Sequence, residues 1–224
     1  HVVQVLELKK LQAQFKAHSQ NVLEPHMGTN RTYVGFAFND LLSGVYGPDW
    51  QQAEEILFTC ADGYQPSIPA EEFKNYTSYL VYSLKGNEAF KVHNKNQNEK
   101  NVPLGPYYLI WDNLKHPELQ EPGASKWPYQ VVGVDLVAFK DRFAKLVPPE
   151  NATPAAKKGF LNFRKHCMSC HSINGQGGGK APDLTLASKT YKTEWLKKFI
   201  SDPRSIRPET KMSQLSLQLK NRDE

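Results

Sequence analysis

Apolar and polar residues alternate over much of the first two-thirds of the chain and recur at helical spacing in the last third. A period of two marks a half-buried strand and a period near 3.6 an amphipathic helix. Residues 2–8 alternate, as a strand or as the start of an amphipathic segment. Tyr33-x-Gly35 with Phe36, Phe38 and then Asp40-Leu41-Leu42 predicts a strand that turns into a short helix. Ile56, Leu57, Phe58 and Cys60 form a buried-strand run that ends in an Asp62-Gly63 turn. Residues 71–84 place Phe73, Tyr76, Leu80 and Leu84 on one helical side, although residues 79–82 also suit a strand. Residues 91–101, rich in Asn and Lys, read as a loop, and His18 and His26, in polar surroundings, as surface residues. Apolar runs at 107–111 and 129–137 flank a connection holding Pro117, Pro122 and Pro128. Residues 1–147 are therefore expected to be an α+β domain with a mostly β core.

Pro148, Pro149 and Pro154 break both helix and strand, so residues 148–154 read as a proline-rich linker. After it the pattern changes. Residues 155–166 predict a helix with Phe160 and Phe163 inward, 175–179 a flexible glycine loop that Ala181-Pro182-Asp183-Leu184 closes, and 193–200 a short amphipathic helix capped by Thr193 or Ser188. Asp202-Pro203 stops that helix, and an extended stretch leads to Met212. Residues 155–224 thus form a second, all-α domain.

With 224 residues the chain suffices for one large or two small domains. No run approaches the roughly 18 apolar residues of a transmembrane segment. The chain does not open on a basic and then apolar leader, which fits a mature form whose export signal has been removed. The net charge of +5 is uneven. Residues 1–154 carry 14 Lys and Arg against 17 Asp and Glu, whereas residues 155–224 carry 14 against 6. A basic end favours a partner with an acidic surface; no nucleic-acid motif accompanies it.

The chemistry concentrates in Cys167-Met168-Ser169-Cys170-His171. Two cysteines two residues apart, followed by histidine, form the attachment pattern of a c-type haem. The thiols must reach two vinyl groups on one porphyrin edge while the next side chain ligates the iron. A zinc site needs about four ligands, and only Cys60 remains outside the motif. A thioredoxin-like pair needs a βαβ setting, which the flanking helix and glycine loop do not provide. One covalent haem c is the expected cofactor.

Residues 155–224 resemble the class I cytochrome c family. The resemblance rests on Gly159 and Phe163, the motif, Pro182, Tyr191, Trp195 and Lys211-Met212. It implies His171 and Met212 as the two axial metal ligands, with Pro182 accepting a hydrogen bond from the His171 ring and Tyr191 and Trp195 beside the haem. A His/His pair using His26 or His93 is the competing ligand set. Two departures stand out: Ser213 follows Met212 where the family commonly has proline, and residues 221–224 would only begin the family's last helix. The resemblance therefore implies a cytochrome domain lacking that helix, completed by a longer chain or by a second subunit.

Residues 1–147 resemble the molybdopterin-binding domain of the sulfite oxidase family. Tyr33-x-Gly35, Leu41-Leu42, Asp62-Gly63-Tyr64, Ile68-Pro69, Gly86, Gly105-Pro106 and Trp127 before residues 131–137 carry the likeness. Members that hold molybdenum use a cysteine in the region matching residues 20–32, and none lies there. Cys60 is downstream, and Arg31 and Arg142 are the only arginines before the linker. The domain is expected to lack the molybdenum cofactor and to dock a partner or position the haem. No catalytic constellation is visible. A periplasmic electron carrier, or the cytochrome subunit of a respiratory complex with a redox protein partner, is the leading reading; a molybdenum enzyme feeding its own haem and a gas-binding haem sensor are the others.

Overall fold

In a computed structural model of the chain, residues 5–86, 88–120 and 124–215 are described. A short helix α1 (Leu8–Gln14) runs into a hairpin of β1 (Ala17–Glu24) and β2 (Thr29–Ala37), and β2 passes directly into α2 (Phe38–Tyr46). There follow β3 (Glu55–Cys60), β4 (Ser67–Pro69), α3 (Ala70–Asn75) and β5 (Ser78–Leu84). The hairpin β6 (Lys91–Asn94) and β7 (Glu99–Pro103) precedes β8 (Tyr108–Trp111), β9 (Val131–Val137) and α4 (Phe139–Arg142). One antiparallel sheet has the order β1-β2-β5-β8 and a second the order β4-β3-β9. The mostly β expectation for this region holds.

Aromatic side chains from both sheets and α3 meet in the core. Phe73 lies 5.2 Å from Phe38 and 4.8 Å from Trp111, ring centre to ring centre, and all three are buried. Each such pair adds about 0.5–1.5 kcal/mol beyond its buried area. Gly35 is fixed by the packing of β2 on β5: a Cβ there would lie 2.3 Å from Val81 Cα, and the strand register shifts at this point.

Three expectations need correction. Residues 71–84 are not one helix: α3 ends at Asn75, Tyr76 is extended, and β5 starts at Ser78, because the aromatic and β-branched run 79–82 is paired on both edges, by β2 and β8. The polar stretch 91–101 is a hairpin, not a loop. Its asparagines supply turn chemistry: the Asn94 side chain accepts from the Gln97 N–H at 3.2 Å, and Asn98 takes the left-handed conformation at φ 54°. His26 is no surface residue; it is 5% exposed, because β1 turns Val22 and Glu24 inward and the chain carries His26 in after them.

Beyond residue 147 the chain is helical. Helix α5 (Pro154–His166) is capped by Thr153, whose hydroxyl accepts from the Ala156 N–H at 3.2 Å, so Pro154 belongs to the first helical turn. Two-residue strands β10 (Ser172–Ile173) and β11 (Gln176–Gly177) form a small hairpin, followed by α6 (Ala187–Thr190), α7 (Thr193–Ser201) and α8 (Pro203–Ile206). Neither Thr193 nor Ser188 caps α7: Lys192 holds the cap position without a side-chain bond, and Ser188 lies in α6. Asp202 ends α7 and caps α8, accepting from the Ser205 N–H. Residues 221–224, read as the start of a last helix, lie outside the described residues.

Candidate functional site

Helix α5 delivers the chain straight into the cysteine motif. The Cys167 N–H closes the helix on Phe163 O at 2.8 Å, and the N–H groups of Cys170 and His171 both bond Cys167 O, at 3.0 and 2.9 Å. Residues 167–171 are thereby coiled into one turn. Side chains three and four positions apart in such a turn are neighbours, so Cys170 and His171 each lie within one turn of Cys167. Both cysteines are free thiols, and burial pushes each up to about 11. A dithiol catalyst needs a lowered thiol, so the electrostatics oppose that reading.

The His171 ring is oriented from outside. Its Nδ1–H donates to Pro182 O at 2.8 Å, which leaves Nε2 as the nitrogen for a metal. Asp183, next in sequence, clamps the two ends of the loop: it accepts from the Ser172 hydroxyl at 2.8 Å, the Gly175 N–H at 3.0 Å, and both the hydroxyl and the N–H of Thr185. These bonds, the Thr185 hydroxyl first, hold its carboxyl well below the ordinary carboxylate range.

A row of aromatic rings runs from the end of α6 along α7. Tyr191, Trp195 and Phe199 stack at 4.4 and 4.9 Å with nearly parallel rings, and the Arg207 guanidinium sits 5.7 and 5.6 Å from the last two. None of α5, α6 or α7 has a fully buried residue, while Leu161, Leu186, Tyr191 and Ile200 are exposed. Apolar helices that do not close a core of their own fit a flat apolar macrocycle. Met212 is half-buried on the segment after α8; its N–H donates to Thr210 Oγ1 at 3.2 Å, and neighbouring Lys211 pairs with Glu99 of β7 at 2.6 Å. His26 is held among the buried side chains of the first sheet by Glu24, and His93 lies on β6.

The β-rich region grips the attachment loop. Met168 is 3% exposed and packs with Leu57, Phe139, Phe143 and Leu146. The Gln65 N–H donates to Ser169 O at 2.7 Å and the Gly179 N–H to Gly63 O at 2.8 Å. Gly63 has φ +86°, and a Cβ on it would lie 2.7 Å from the Gly179 carbonyl carbon. Lys180 pairs with Asp62 at 2.7 Å and also donates to the Tyr129 hydroxyl at 3.3 Å. Arg164 pairs with the buried Glu55 and lies 3.7 Å over the Phe139 ring. The glycine stretch 175–179 is accordingly a docked hairpin rather than a flexible loop.

Sequence reading missed Glu55, Asp62, Arg164 and Lys180 as residues of this site. Nothing local marks them, since each acquires its role from a partner more than about a hundred positions away, as in Arg164 with Glu55 and Lys180 with Asp62.

Residues 156–218 match the family model for cytochrome c, and this part of the chain is a cytochrome c domain. Such a domain implies covalent haem c and electron transfer with a redox partner. No curated protein matches the chain. Among the described residues no helix is long and apolar enough to cross a membrane.

Proposed function

We propose that the chain is a periplasmic electron-transfer protein, or the cytochrome subunit of a respiratory complex, with one covalently held haem ligated by His171 and Met212. The observation that carries this reading is the His171 turn: Cys167, Cys170 and His171 in one hydrogen-bonded turn, with the ring aimed by its bond to Pro182 O at 2.8 Å. Haem supplies a one-electron couple when bound, and methionine opposite histidine raises its potential. The chain's residues do the rest. Cys167 and Cys170 would form the thioethers, Asp183 keeps the loop closed, and Tyr191, Trp195 and Phe199 would exclude water from one side.

The first domain, residues 1–147, is best read as a sulfite oxidase-like scaffold without molybdenum that positions the haem domain across the linker. The grip on Met168, Gly179 and Lys180 supports that role. Exposed Lys192, Lys197 and Lys198 on or beside α7 give the haem end a basic face for an acidic partner.

The test is purification from a host with c-type maturation, then intact mass, metal analysis and optical spectra. One haem per chain that survives denaturation, lost in Cys170→Ala, together with a methionine-iron band lost in Met212→Ala, is the expected result. A chain that carries no covalent haem overturns the reading, and molybdenum at one per chain overturns the account of the first domain.

A further inference from the structure

Residues 207–212 form neither helix nor strand, and residues 207–209 and 211 are exposed. Within the segment the Thr210 N–H donates to Arg207 O at 3.0 Å and the Met212 N–H to Thr210 Oγ1 at 3.2 Å. Exposed backbone with so little packing opens easily, so what fixes Met212 has to come from outside the segment. The Arg207 guanidinium rests on the rings of Trp195 and Phe199, within the same domain. The other ties run to the first domain. Just before the segment, α8 has Pro203 buried, and the Arg204 guanidinium donates to Lys95 O at 3.3 Å and Asn96 O at 2.9 Å. Near its far end Lys211, adjacent to Met212, pairs with Glu99 at 2.6 Å.

Both anchors sit on the β6–β7 hairpin, 108 and 112 positions upstream of the residues they hold. That hairpin is a firm mount. Val92 and Val102 bury its two strands in the first domain's core. Asn94, 3% exposed, accepts from the Gln97 N–H and donates to the Tyr129 hydroxyl, each at 3.2 Å, so the carbonyls of residues 95 and 96 are presented from a fixed turn. The Glu99 carboxylate is 18% exposed against 70% for Lys211, which makes Glu99 the post and Lys211 the arm that reaches it. The segment leading to Met212 is thus bracketed, at Arg204 and at Lys211, by two points of one rigid hairpin.

We propose that Glu99 and the turn at residues 95–96 are positioning elements for the second axial ligand: they act through Met212, by way of Lys211 and Arg204, and set how readily the methionine gives up its place. The inference rests on the Met212 assignment proposed above. An added ligand that competes for that place binds with its intrinsic affinity multiplied by the fraction of molecules in which Met212 is released. Cutting a tie raises that fraction. The Lys211–Glu99 pair, with one partner mostly in water, changes it by about threefold; the charge-assisted bonds of Arg204 to two carbonyls change it by a similar or larger factor. Ties at separate points combine nearly independently, so cutting both gives about tenfold.

The experiment titrates the oxidised, haem-loaded full chain with imidazole at constant pH and ionic strength, following loss of the methionine-iron band, and measures hydrogen exchange of the Thr210 and Met212 amides in parallel. Imidazole should bind about threefold tighter to Glu99→Gln and about tenfold tighter to Glu99→Gln with Arg204→Gln, with faster exchange at both amides. The exchanged pair Glu99→Lys with Lys211→Glu should return the affinity toward that of the unsubstituted protein. Glu71→Gln, which removes a first-domain carboxylate paired with Lys74 inside α3, is the charge control and should leave imidazole binding unchanged. An unsubstituted protein without the methionine-iron band overturns the ligand assignment and the inference that rests on it. Where the band is present, equal imidazole affinity and equal exchange in the variants overturn the inference alone.

Discussion

Replacing Met168 by alanine separates the two tasks of the attachment loop. Met168 lies between the cysteines but is not needed for attachment chemistry, and its side chain is buried against Leu57, Phe139, Phe143 and Leu146. The change removes three heavy atoms from a 3% exposed side chain. At about 0.8 kcal/mol per buried methylene-sized group the transfer loss is about 2.4 kcal/mol, and incomplete collapse of the cavity raises the total to about 3 kcal/mol. For a chain of this size each kcal/mol moves the melting temperature by about 2–4 °C, so Met168→Ala should melt about 6–12 °C lower. Calorimetry of the haem-loaded chain measures it, with Met168→Leu, expected to cost less than about 1.5 kcal/mol, as the volume control. Haem content should not change. A loss under about 0.5 kcal/mol in Met168→Ala, or equal losses in the two variants, would refute the docking of the loop.

Three further outcomes follow from the same interface and from the His171 loop. Gly63→Ala must hold a left-handed backbone, which costs about 1–2 kcal/mol, and also place its Cβ 2.7 Å from Gly179; Gly86→Ala has the same φ to within 2° and nothing within 4 Å, so chemical denaturation should show Gly63→Ala losing clearly more, and equal losses would sink the close approach. Arg164→Ala leaves the Glu55 carboxylate with the Ser67 hydroxyl at 2.5 Å as its remaining side-chain partner, at an expected cost of about 1–3 kcal/mol, and a double-mutant cycle with Glu55→Gln should recover part of it. Asp183 is held below its ordinary range, so its bonds stabilise the fold fully above the unfolded value of about 4 and lose that contribution as pH falls through the lower folded value. The acid-unfolding curve of Asp183→Asn should lack this component, and identical pH dependence in the two proteins would contradict the loop closure.

How much of this was legible follows from the range of the interactions. The cysteine motif and the Tyr33-x-Gly35 element were readable because their chemistry is contiguous. His26 was misread because its neighbours are polar, yet Val22, Glu24 and His26 share the inward side of one strand and its continuation. A polar inward face is recognisable only once Tyr33 and Tyr108 are seen to satisfy it. Residues 91–101 looked like a loop by composition, because asparagines that build a tight turn and asparagines that avoid structure are the same letters. The pairing of β5 with both β2 and β8 decided the 71–84 ambiguity, and no local window contains those partners.

The cytochrome c domain draws part of its solidity from outside itself. In its helices Pro203 is the fully buried residue, and the buried side chain of its attachment loop, Met168, is inserted into the neighbouring domain. Arg164, Lys180, Arg204 and Lys211 all reach across to Glu55, Asp62, the Lys95–Asn96 carbonyls and Glu99. The exposed pairs among these contribute little each; the buried Met168, the ring of Phe139 under Arg164 and the backbone bonds at Gly63 and Gln65 set the position. Residues 148–154 are therefore not what sets how the cytochrome c domain sits on the β-rich region. The attachment loop is thus held from two sides, by the β-rich region at Met168, Ser169 and Gly179 and by the Pro182 bond that orients the His171 ring.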